Sequence, residues 1–337
     1  MKWSNSKYQT LRQCSRKYFF QYVLPDHHFT YPIRRKAFEL SKTQNLRMWM
    51  GSIVDWAMSN LIIPVYKLKR SPDFSKIADE AIETAKRQFQ FSEQKLYREK
   101  GNTKSKIGSD YLVLDIHDLN LSYREEKVSQ VYADVREIIE RIPEYPSPEE
   151  GKSMNQYLLE SSFLQPNEQW WRYQFEDITL NPQIDLIRYK GKKITVIDWK
   201  VSASQTGDYG NQLTIAGIVT FNNKRKLNAE KGWTPPNLDD IELFEINLYN
   251  GYVKQHPFNR ERTAAVLDKI YINGSDTEQL FGEMKWNEID IESLEITDKK
   301  ETCAMCKFQP LCVHLIQNNY QYDESKFNQL VPSGELA

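Results

Sequence analysis

The sequence lacks the marks of several protein classes. No stretch approaches the roughly 18 consecutive apolar residues of a membrane-spanning helix, and the apolar run at 61–65 is interrupted by Pro64. No G-x-x-x-x-G-K-S/T motif is present, so ATP-driven unwinding of DNA would need a partner helicase. The opening MKWSNSKYQTLRQ is polar and lacks the apolar core of a signal peptide, which favours a cytoplasmic location and argues against disulfides.

An excess of charge of one sign is also lacking. The chain has 45 Lys and Arg residues against 46 Asp and Glu residues, a formal net charge of -1. Any nucleic-acid binding must therefore depend on a local basic patch and not on bulk charge. Basic clusters occur at 34–36, 190–193 and 224–226. Each cluster alone is equally well explained as a solvated turn or helix face.

Cysteine is scarce, and its distribution is uneven. Three of the four cysteines form the motif Cys303-x2-Cys306-x5-Cys312, whereas Cys14 lies far upstream. Four thiolates are enough to hold one iron–sulfur cluster, which would tie the first helix to the last segment. The alternatives are disulfides, a structural zinc site, which usually shows two close pairs of ligands, and four unrelated buried cysteines.

The 337 residues, 40% of them hydrophobic, are enough for one large domain or two ordinary ones. Apolar periodicity predicts helices at 4–24 and 51–62, followed by a charge-rich helical insertion with a flexible turn at 101–110. After Pro146 the pattern changes to short β-branched and aromatic runs, which indicate an α/β or α+β core. The predicted elements there are strands at 157–163, 170–175, 183–189 and 194–201, a helix at 212–220, and a hairpin of 241–248 and 252–255.

Charged residues interrupt the two apolar strands of the segment QIDLIRYKGKKITVIDWKVS, residues 183–202. If the short hairpin brings the strands together, Asp185 and Asp198 converge on one face, and period-two alternation places Lys200 there too. Two carboxylates and an ammonium suit metal-assisted phosphodiester hydrolysis. On its own this spacing is also what any half-exposed strand shows. The strongly apolar surroundings favour the functional interpretation, because unpaired charges are costly in such a run.

Three motifs together resemble a known family. They are SKYQTLRQCSRKYFFQY near the N-terminus, the I-D-x-K that ends at Lys200, and the C-terminal C-x2-C-x5-C. The combination resembles the RecB-like branch of the PD-(D/E)XK nucleases and, more narrowly, its cluster-bearing members, the CRISPR adaptation exonucleases and the nuclease domains of AddB-type helicase-nucleases. The resemblance implies an α/β, restriction-endonuclease-like fold with a mixed central sheet flanked by helices, a helical insertion, and an iron–sulfur clasp that joins the N- and C-terminal segments.

The resemblance also suggests how the chain is divided. It covers both ends and about 157–220, and it leaves the insertion unmatched. The predicted parts are an N-terminal helical part of the nuclease domain with the first cluster cysteine at 1–65, the helical insertion at 66–145, the nuclease core at 146–260, and a C-terminal helix with the cluster-binding segment at 261–337.

Site residues follow from the resemblance position by position. It implies that Asp185 and Asp198 bind the metal, that the backbone carbonyl of Trp199 is a further ligand, and that Lys200 is the catalytic lysine. Gln212 matches the glutamine of the family's Q-x-x-x-Y helix, which lies beside the active site and contacts DNA. A 4Fe-4S cluster is implied at the four cysteines, Cys14, Cys303, Cys306 and Cys312.

Two positions depart from the family pattern. The histidine of G-x-x-x-H is Asp55 here, after Gly51. As an oxygen ligand, Asp55 would favour Mg2+ or Mn2+, but it is equally explained as an acid on a helix surface. The tyrosine of Q-x-x-x-Y is Ala216, and Tyr209 upstream is either its substitute or an ordinary loop residue.

The sequence therefore predicts a divalent-metal-dependent deoxyribonuclease, an exonuclease on single-stranded or end-bearing DNA, that acts in repair, recombination or defence against foreign DNA. Aromatic side chains near the site in sequence, Trp170, Trp171, Tyr173 and Trp199, are candidates for base stacking unless they belong to the core. The alternative is a catalytically decayed DNA-binding scaffold subunit of a helicase or defence complex. An RNA- or nucleotide-directed hydrolase stays open, because the metal chemistry does not sense the 2′-hydroxyl.

Overall fold

The computed structural model describes residues 2–168, 170–202, 209–282 and 284–330. Its strands are β1 (Lys2–Trp3), β2 (Phe163–Glu168), β3 (Tyr173–Phe175), β4 (Ile178–Leu180), β5 (Ile184–Lys190), β6 (Lys193–Lys200), β7 (Ile241–Asn247) and β8 (Tyr252–His256). Its α-helices are α1 (Asn5–Gln13), α2 (Ser15–Tyr18), α3 (Pro32–Lys42), α4 (Leu46–Ala57), α5 (Ile63–Lys67), α6 (Phe74–Glu93), α7 (Lys104–Ile107), α8 (Asp115–Asp118), α9 (Glu125–Arg141), α10 (Met154–Leu159), α11 (Gly210–Glu230), α12 (Arg260–Phe281), α13 (Lys300–Ala304), α14 (Gln309–Gln317) and α15 (Glu324–Leu330).

The main sheet has the strand order β2-β5-β6-β7-β8. Strands β6 and β7 are parallel because the chain crosses between them through α11, and the other neighbouring pairs are antiparallel. Apolar side chains of α11, including Leu213 and Ala216, pack on one face of the sheet against Ile187, Val196 and Leu243. A smaller sheet has the order β1-β4-β3. The predicted α/β fold with a mixed central sheet flanked by helices is confirmed.

The element predictions held for β5, β6, the β7–β8 hairpin and α11, which is longer than predicted. The strand predicted at 157–163 was wrong, because α10 extends to Leu159 and β2 begins only at Phe163. Ser153 and Gln156 form a capping box that starts this helix, each side chain accepting a hydrogen bond from the other residue's N–H. The turn predicted at 101–110 includes the short helix α7.

The chain forms two compact units. The first comprises Met1–Asn5, Met50–Ile82 and Tyr132–Asp276, and it contains both sheets. The second comprises Ser6–Trp49, Glu83–Val131 and Thr277–Ala337, and it contains the four cysteines. Residues 66–145 contribute to both units, so the sequential boundaries proposed from the sequence stay a prediction. Within the described residues, no helix is both long and apolar enough to cross a bilayer.

A buried ionic network lies in the second unit around Asp118, whose side chain is 0% exposed. Its carboxylate accepts hydrogen bonds from Lys36 Nζ at 2.9 Å, Arg98 Nη2 at 2.8 Å and the Tyr97 hydroxyl at 3.1 Å. Burial alone would raise the pKa of Asp118, but the charges of Lys36 and Arg98 outweigh it and hold the pKa below its ordinary value. The second unit therefore depends on this carboxylate being ionised.

We expect Asp118→Asn to destabilise the protein at pH 7 by about 3 kcal/mol, because the buried Lys36 and the half-buried Arg98 then share a single, more distant carboxylate, Glu39, at 3.6 and 3.7 Å. Since the folded-state pKa is lowered, this stability is present above the unfolded value of about 3.9 and is lost as the pH falls below it. Denaturant unfolding at several pH values measures the effect. The matched control is Asp110→Asn, whose ion pair with Arg87 is more exposed and should contribute less than about 1 kcal/mol. Equal losses in both variants would contradict the prediction.

Candidate active site

The two predicted acids lie side by side on the main sheet. Asp185 is the second residue of β5 and Asp198 is near the end of β6. The antiparallel register pairs Leu186 with Ile197, and one further step along it brings Asp185 opposite Asp198. Directly opposite residues share a face, and Lys200 shares it as well. This is the face on which α11 packs.

Helix α4 brings Asp55 to the same place. Gly51, one turn before Asp55 on this helix, lies close to the C-terminal end of β6. A Cβ atom at Gly51 would be 3.8 Å from Cβ of Val201, the residue that follows β6. Burial raises the pKa of Asp55, and the nearby charge of Asp198 raises it further. The structure thus places Asp55 beside the two acids, and its role as a metal ligand remains a prediction.

Each carboxylate of the pair has a defined hydrogen-bond donor. Asp185 Oδ2 accepts from the backbone N–H of Trp199 at 2.9 Å, and Asp198 Oδ1 accepts from Gln212 Nε2 at 2.9 Å. The second oxygen, Asp198 Oδ2, forms an ion pair with Lys200 and accepts no hydrogen bond from any other described residue. The first turn of α11 therefore supports the site through Gln212, which holds a carboxylate in place.

Crowding of these acids changes their protonation. The pKa of Asp185 is raised well above its ordinary value, first by burial and then by the charges of Asp198 and Asp55. Burial also raises the pKa of Asp198, although Lys200 opposes the shift. For Lys200, burial lowers the pKa, but the charge of Asp198 outweighs it and the net shift is upward. Lys200 is therefore a cation at neutral pH, suited to offsetting negative charge and unsuited to acting as a base.

The donor set fits a hard divalent cation. Carboxylate oxygens are the ligands that Mg2+ and Mn2+ prefer, and a cation would relieve the repulsion that raises the pKa values of Asp55, Asp185 and Asp198. Oxygens of these three described acids do not all lie within 4.8 Å of one another, so a bound ion would require their side chains to move closer together.

The remaining predicted residues take different positions. The indole of Trp199 is buried and on the opposite face of β6, which excludes it from base stacking, while its backbone borders the site. Ala216 is buried in the core between α11 and the sheet, where it packs with Leu213 and Val196. Tyr209 precedes α11, and the centroid of its ring lies 4.3 Å from Lys200 Nζ. A ring at this distance restrains the lysine by a cation–π contact.

Sequence reasoning missed a second buried polar pair. Glu245 on β7 is in register with Asp198, and both are buried on the same face. Its carboxylate is hydrogen-bonded to His256 Nε2 at 3.0 Å. The sequence does mark Glu245 as unusual, because it interrupts the apolar strand IELFEIN much as Asp198 interrupts its own strand. The sequence does not show that Glu245 lies next to Asp198, since this depends on the parallel pairing of β6 and β7.

The four cysteines are brought together within the second unit. Burial raises the pKa of Cys306 and of Cys312, and the nearby thiols of Cys14 and Cys303 raise both pKa values further. No three of these four described cysteines have sulfur atoms within 4.8 Å of one another. A single zinc ion with bonds of about 2.3 Å would hold its sulfurs about 3.8 Å apart. As at the acids of the active site, the cysteine side chains would have to move closer together to hold a single ion.

Cationic side chains surround the sulfurs. Arg16 is only 5% exposed, and its guanidinium lies 3.8 Å from Cys312 Sγ and donates to the carbonyls of Glu292 and Leu294. The pKa of Lys307 is lowered to about 8 by burial and by Lys17. Among the described residues, none of Arg16, Lys17 and Lys307 forms an ion pair with a carboxylate. Of these three cations only Arg16 is buried, and its positive charge next to Cys312 favours the thiolate form of that cysteine.

We expect Asp185→Asn to stabilise the metal-free protein. The pKa of Asp185 is raised in the folded state, so ionising this carboxyl destabilises the fold. This loss of stability is absent below the unfolded pKa of about 3.9 and grows as the pH rises through the folded-state pKa. Asparagine keeps an acceptor for the Trp199 N–H and removes the charge. At pH 7 without metal, the melting temperature should rise by about 2–4 °C, the shift that about 1 kcal/mol produces.

Adding Mg2+ should reverse this order, because only the wild-type site retains both strand carboxylates. Thermal unfolding in chelator and in excess Mg2+ measures both effects. Asp268→Asn, an exposed change on α12, is the control and should show neither effect. A metal-free Asp185→Asn protein less stable than wild type at pH 7 would contradict the assigned repulsion.

A comparison of the sequence with protein-family models identified one family. A model of the PD-(D/E)XK nuclease superfamily matches residues 2–313. Among solved structures, the chain is similar to a protein described as "Crystal structure of protein VC1899 from Vibrio cholerae", with 12% identity and a TM-score of 0.17. That match covers 70% of this chain and 56% of the other, so the matched region is little more than half the length of that protein. No curated protein matched.

Proposed function

Because the chain belongs to the PD-(D/E)XK nuclease superfamily, we propose that it is a divalent-metal-dependent deoxyribonuclease, an exonuclease on single-stranded or end-bearing DNA. The observation that carries this proposal is the convergence of Asp185, Asp198 and Lys200 on one face of the main sheet. Their shared burial and mutual charge effects are typical of catalytic sites and costly in a purely structural sheet.

The metal would be Mg2+ or Mn2+, held by Asp185 and Asp198, with Asp55 and the Trp199 carbonyl as further ligands. A cation bound there supplies Lewis-acid activation of the phosphodiester and of water. Lys200, kept protonated by Asp198, donates hydrogen bonds to the reacting phosphate and offsets its growing negative charge. Gln212 is a positioning residue, since it fixes the orientation of Asp198 and thereby of Lys200.

Within the superfamily, we propose the RecB-like branch and a 4Fe-4S cluster at Cys14, Cys303, Cys306 and Cys312. The presence of all four cysteines in one unit and the guanidinium of Arg16 beside Cys312 support a group bound by thiolates. Such a cluster would have a structural role, because it crosslinks α2 to the segment that contains α13 and α14.

The biological setting is proposed more broadly as DNA repair, recombination or defence against foreign DNA. The chain has no P-loop, so a helicase or defence-complex protein would be the partner that supplies single strands.

The proposal is tested by incubating the anaerobically purified protein with single- and double-stranded DNA labelled at either end. We expect release of label with Mg2+ or Mn2+ and none in chelator, and the label released first identifies the polarity. Binding without cleavage under all metal conditions would replace the nuclease with the scaffold alternative. Faster cleavage of RNA than of DNA would overturn the deoxyribonuclease assignment.

A further inference from the structure

The active-site face of the main sheet continues to its edge strand, β8. The registers place two rows of side chains across three strands: Lys200, Asn247 and Tyr252 form one row, and Asp198, Glu245 and Lys254 form the other. Because directly paired residues share a face, Tyr252 and Lys254 lie on the same face as the catalytic acids. Two strand spacings of about 4.8 Å separate β6 from β8, a distance of about 10 Å.

The outer ends of the two rows are the most exposed. Glu245 is buried and hydrogen-bonded to His256, and the amide of Asn247 donates to the carbonyl of Ser202. In contrast, Tyr252 is 43% exposed, and Lys254 is exposed with no carboxylate of the described residues within 4.0 Å. A large exposed ring and an unpaired ammonium are thus adjacent, two residues apart on one strand.

The turn before β8 is held firmly. The Leu248 N–H donates to the carbonyl of Lys200 at 2.7 Å, which ties the turn to the catalytic strand. Gly251 has φ of +73°, and a Cβ there would lie 2.7 Å from the Tyr145 ring, so the chain can pass this ring only with glycine. The Tyr252 N–H donates to Asn250 Oδ1 at 3.1 Å. The backbone that carries Tyr252 and Lys254 is therefore held at a fixed distance from the strand of Asp198.

We infer that Tyr252 and Lys254 form the binding surface for the unpaired strand of a DNA substrate, with a base stacked on Tyr252 and a phosphate paired with Lys254. This inference rests on the proposed nuclease function. The distance of about 10 Å corresponds to about three nucleotides at the ~3.4 Å spacing of a stacked strand. A solvent-facing ring stacks on unpaired bases, whereas the bases of a duplex are already stacked on each other. The surface therefore favours single-stranded DNA over duplex DNA.

A structural role predicts something different. Lysines on edge strands also prevent strand-to-strand aggregation, and this role would leave DNA binding unchanged when Lys254 is replaced. The two explanations are separated by measuring affinity for DNA and not stability alone.

The experiment measures fluorescence anisotropy of a labelled 12-nucleotide oligothymidine in chelator, where no cleavage occurs. We expect Tyr252→Ala to weaken binding about tenfold, the typical effect of losing one stacked base. Lys254→Gln should weaken binding severalfold and reduce the slope of log affinity against log salt by about one. Tyr271→Ala on α12 and Lys193→Gln at the far end of β6 are exposed controls and should bind as wild type does.

A second measurement distinguishes this inference from the proposed function. In the presence of Mg2+, we expect Tyr252→Ala and Lys254→Gln to have a lower kcat/KM than wild type because their KM is higher. If the wild type cleaves DNA and the variants keep its affinity and KM, the proposed binding surface is wrong and the nuclease function is unaffected. Weaker binding in the variants, with no cleavage by wild type, would support the surface and overturn the nuclease. A variant defect confined to blunt duplex DNA, or no binding of oligothymidine by wild type, would overturn the single-strand assignment.

Discussion

Lys200→Ala should lower kcat for DNA cleavage by about 10³-fold, the loss typical of removing one preorganised charge donor from a hydrolytic site. The ammonium forms an ion pair with Asp198 and lies over the ring of Tyr209, so its position is fixed before substrate binds. Its raised pKa keeps it charged across neutral pH. Alanine removes the charge without disturbing the apolar core, because Lys200 is the last residue of β6.

The loss must be separated from a failure to bind metal. Removing a cation from beside Asp198 should leave Mn2+ affinity unchanged or increase it, which calorimetric titration can measure. Lys193→Ala, at the exposed first residue of the same strand, is the matched control and should retain full activity. If Lys200→Ala cleaves at the wild-type rate, or if its activity falls only in proportion to lost metal, the assigned role is wrong.

Much of this site was predictable because its main parts are close in sequence. Asp185 and Asp198 lie on strands joined by a two-residue turn, in which Gly191 has the positive φ that such hairpins need. Period-two alternation then fixes which side chains share a face, so the acids and Lys200 could be placed together from the sequence alone. The resemblance to known nucleases added Asp55 and Gln212, whose approach depends on helix packing.

The missed features depend on contacts that no local pattern encodes. Glu245 reaches Asp198 only through parallel pairing across α11, and Tyr252 and Lys254 reach the same face one strand further on. The strand predicted at 157–163 failed because a capping box outweighs aromatic and apolar content at a helix start. Likewise, the position of Arg16 in a cysteine motif gave no sign that its guanidinium would be buried without a carboxylate partner among the described residues.

The proposed iron–sulfur cluster predicts that Cys306→Ser loses the cofactor and destabilises the second unit. Cys306 is partly buried within the cluster of cysteines and packs against the apolar core that contains Phe20, Phe308 and Leu311. Metal binding to such sites is coupled to folding, so losing one ligand removes most of the stabilisation. We expect the purified variant to lose brown colour and iron, and its melting temperature to fall by about 10 °C or more, which corresponds to roughly 3–5 kcal/mol.

The location of the cysteines sharpens this test. All four lie in the second unit, whereas Asp185, Asp198 and Lys200 lie in the first, so limited proteolysis should cut the second unit of the variant before the first. Met305→Ser changes the adjacent side chain, which is 82% exposed, and should keep both iron and stability. Colourless wild-type protein with stoichiometric zinc would refute the cluster while preserving a thiolate site. Wild-type protein without metal, matched in stability by Cys306→Ser, would refute the cofactor altogether, and the buried charge of Arg16 would then need another anion.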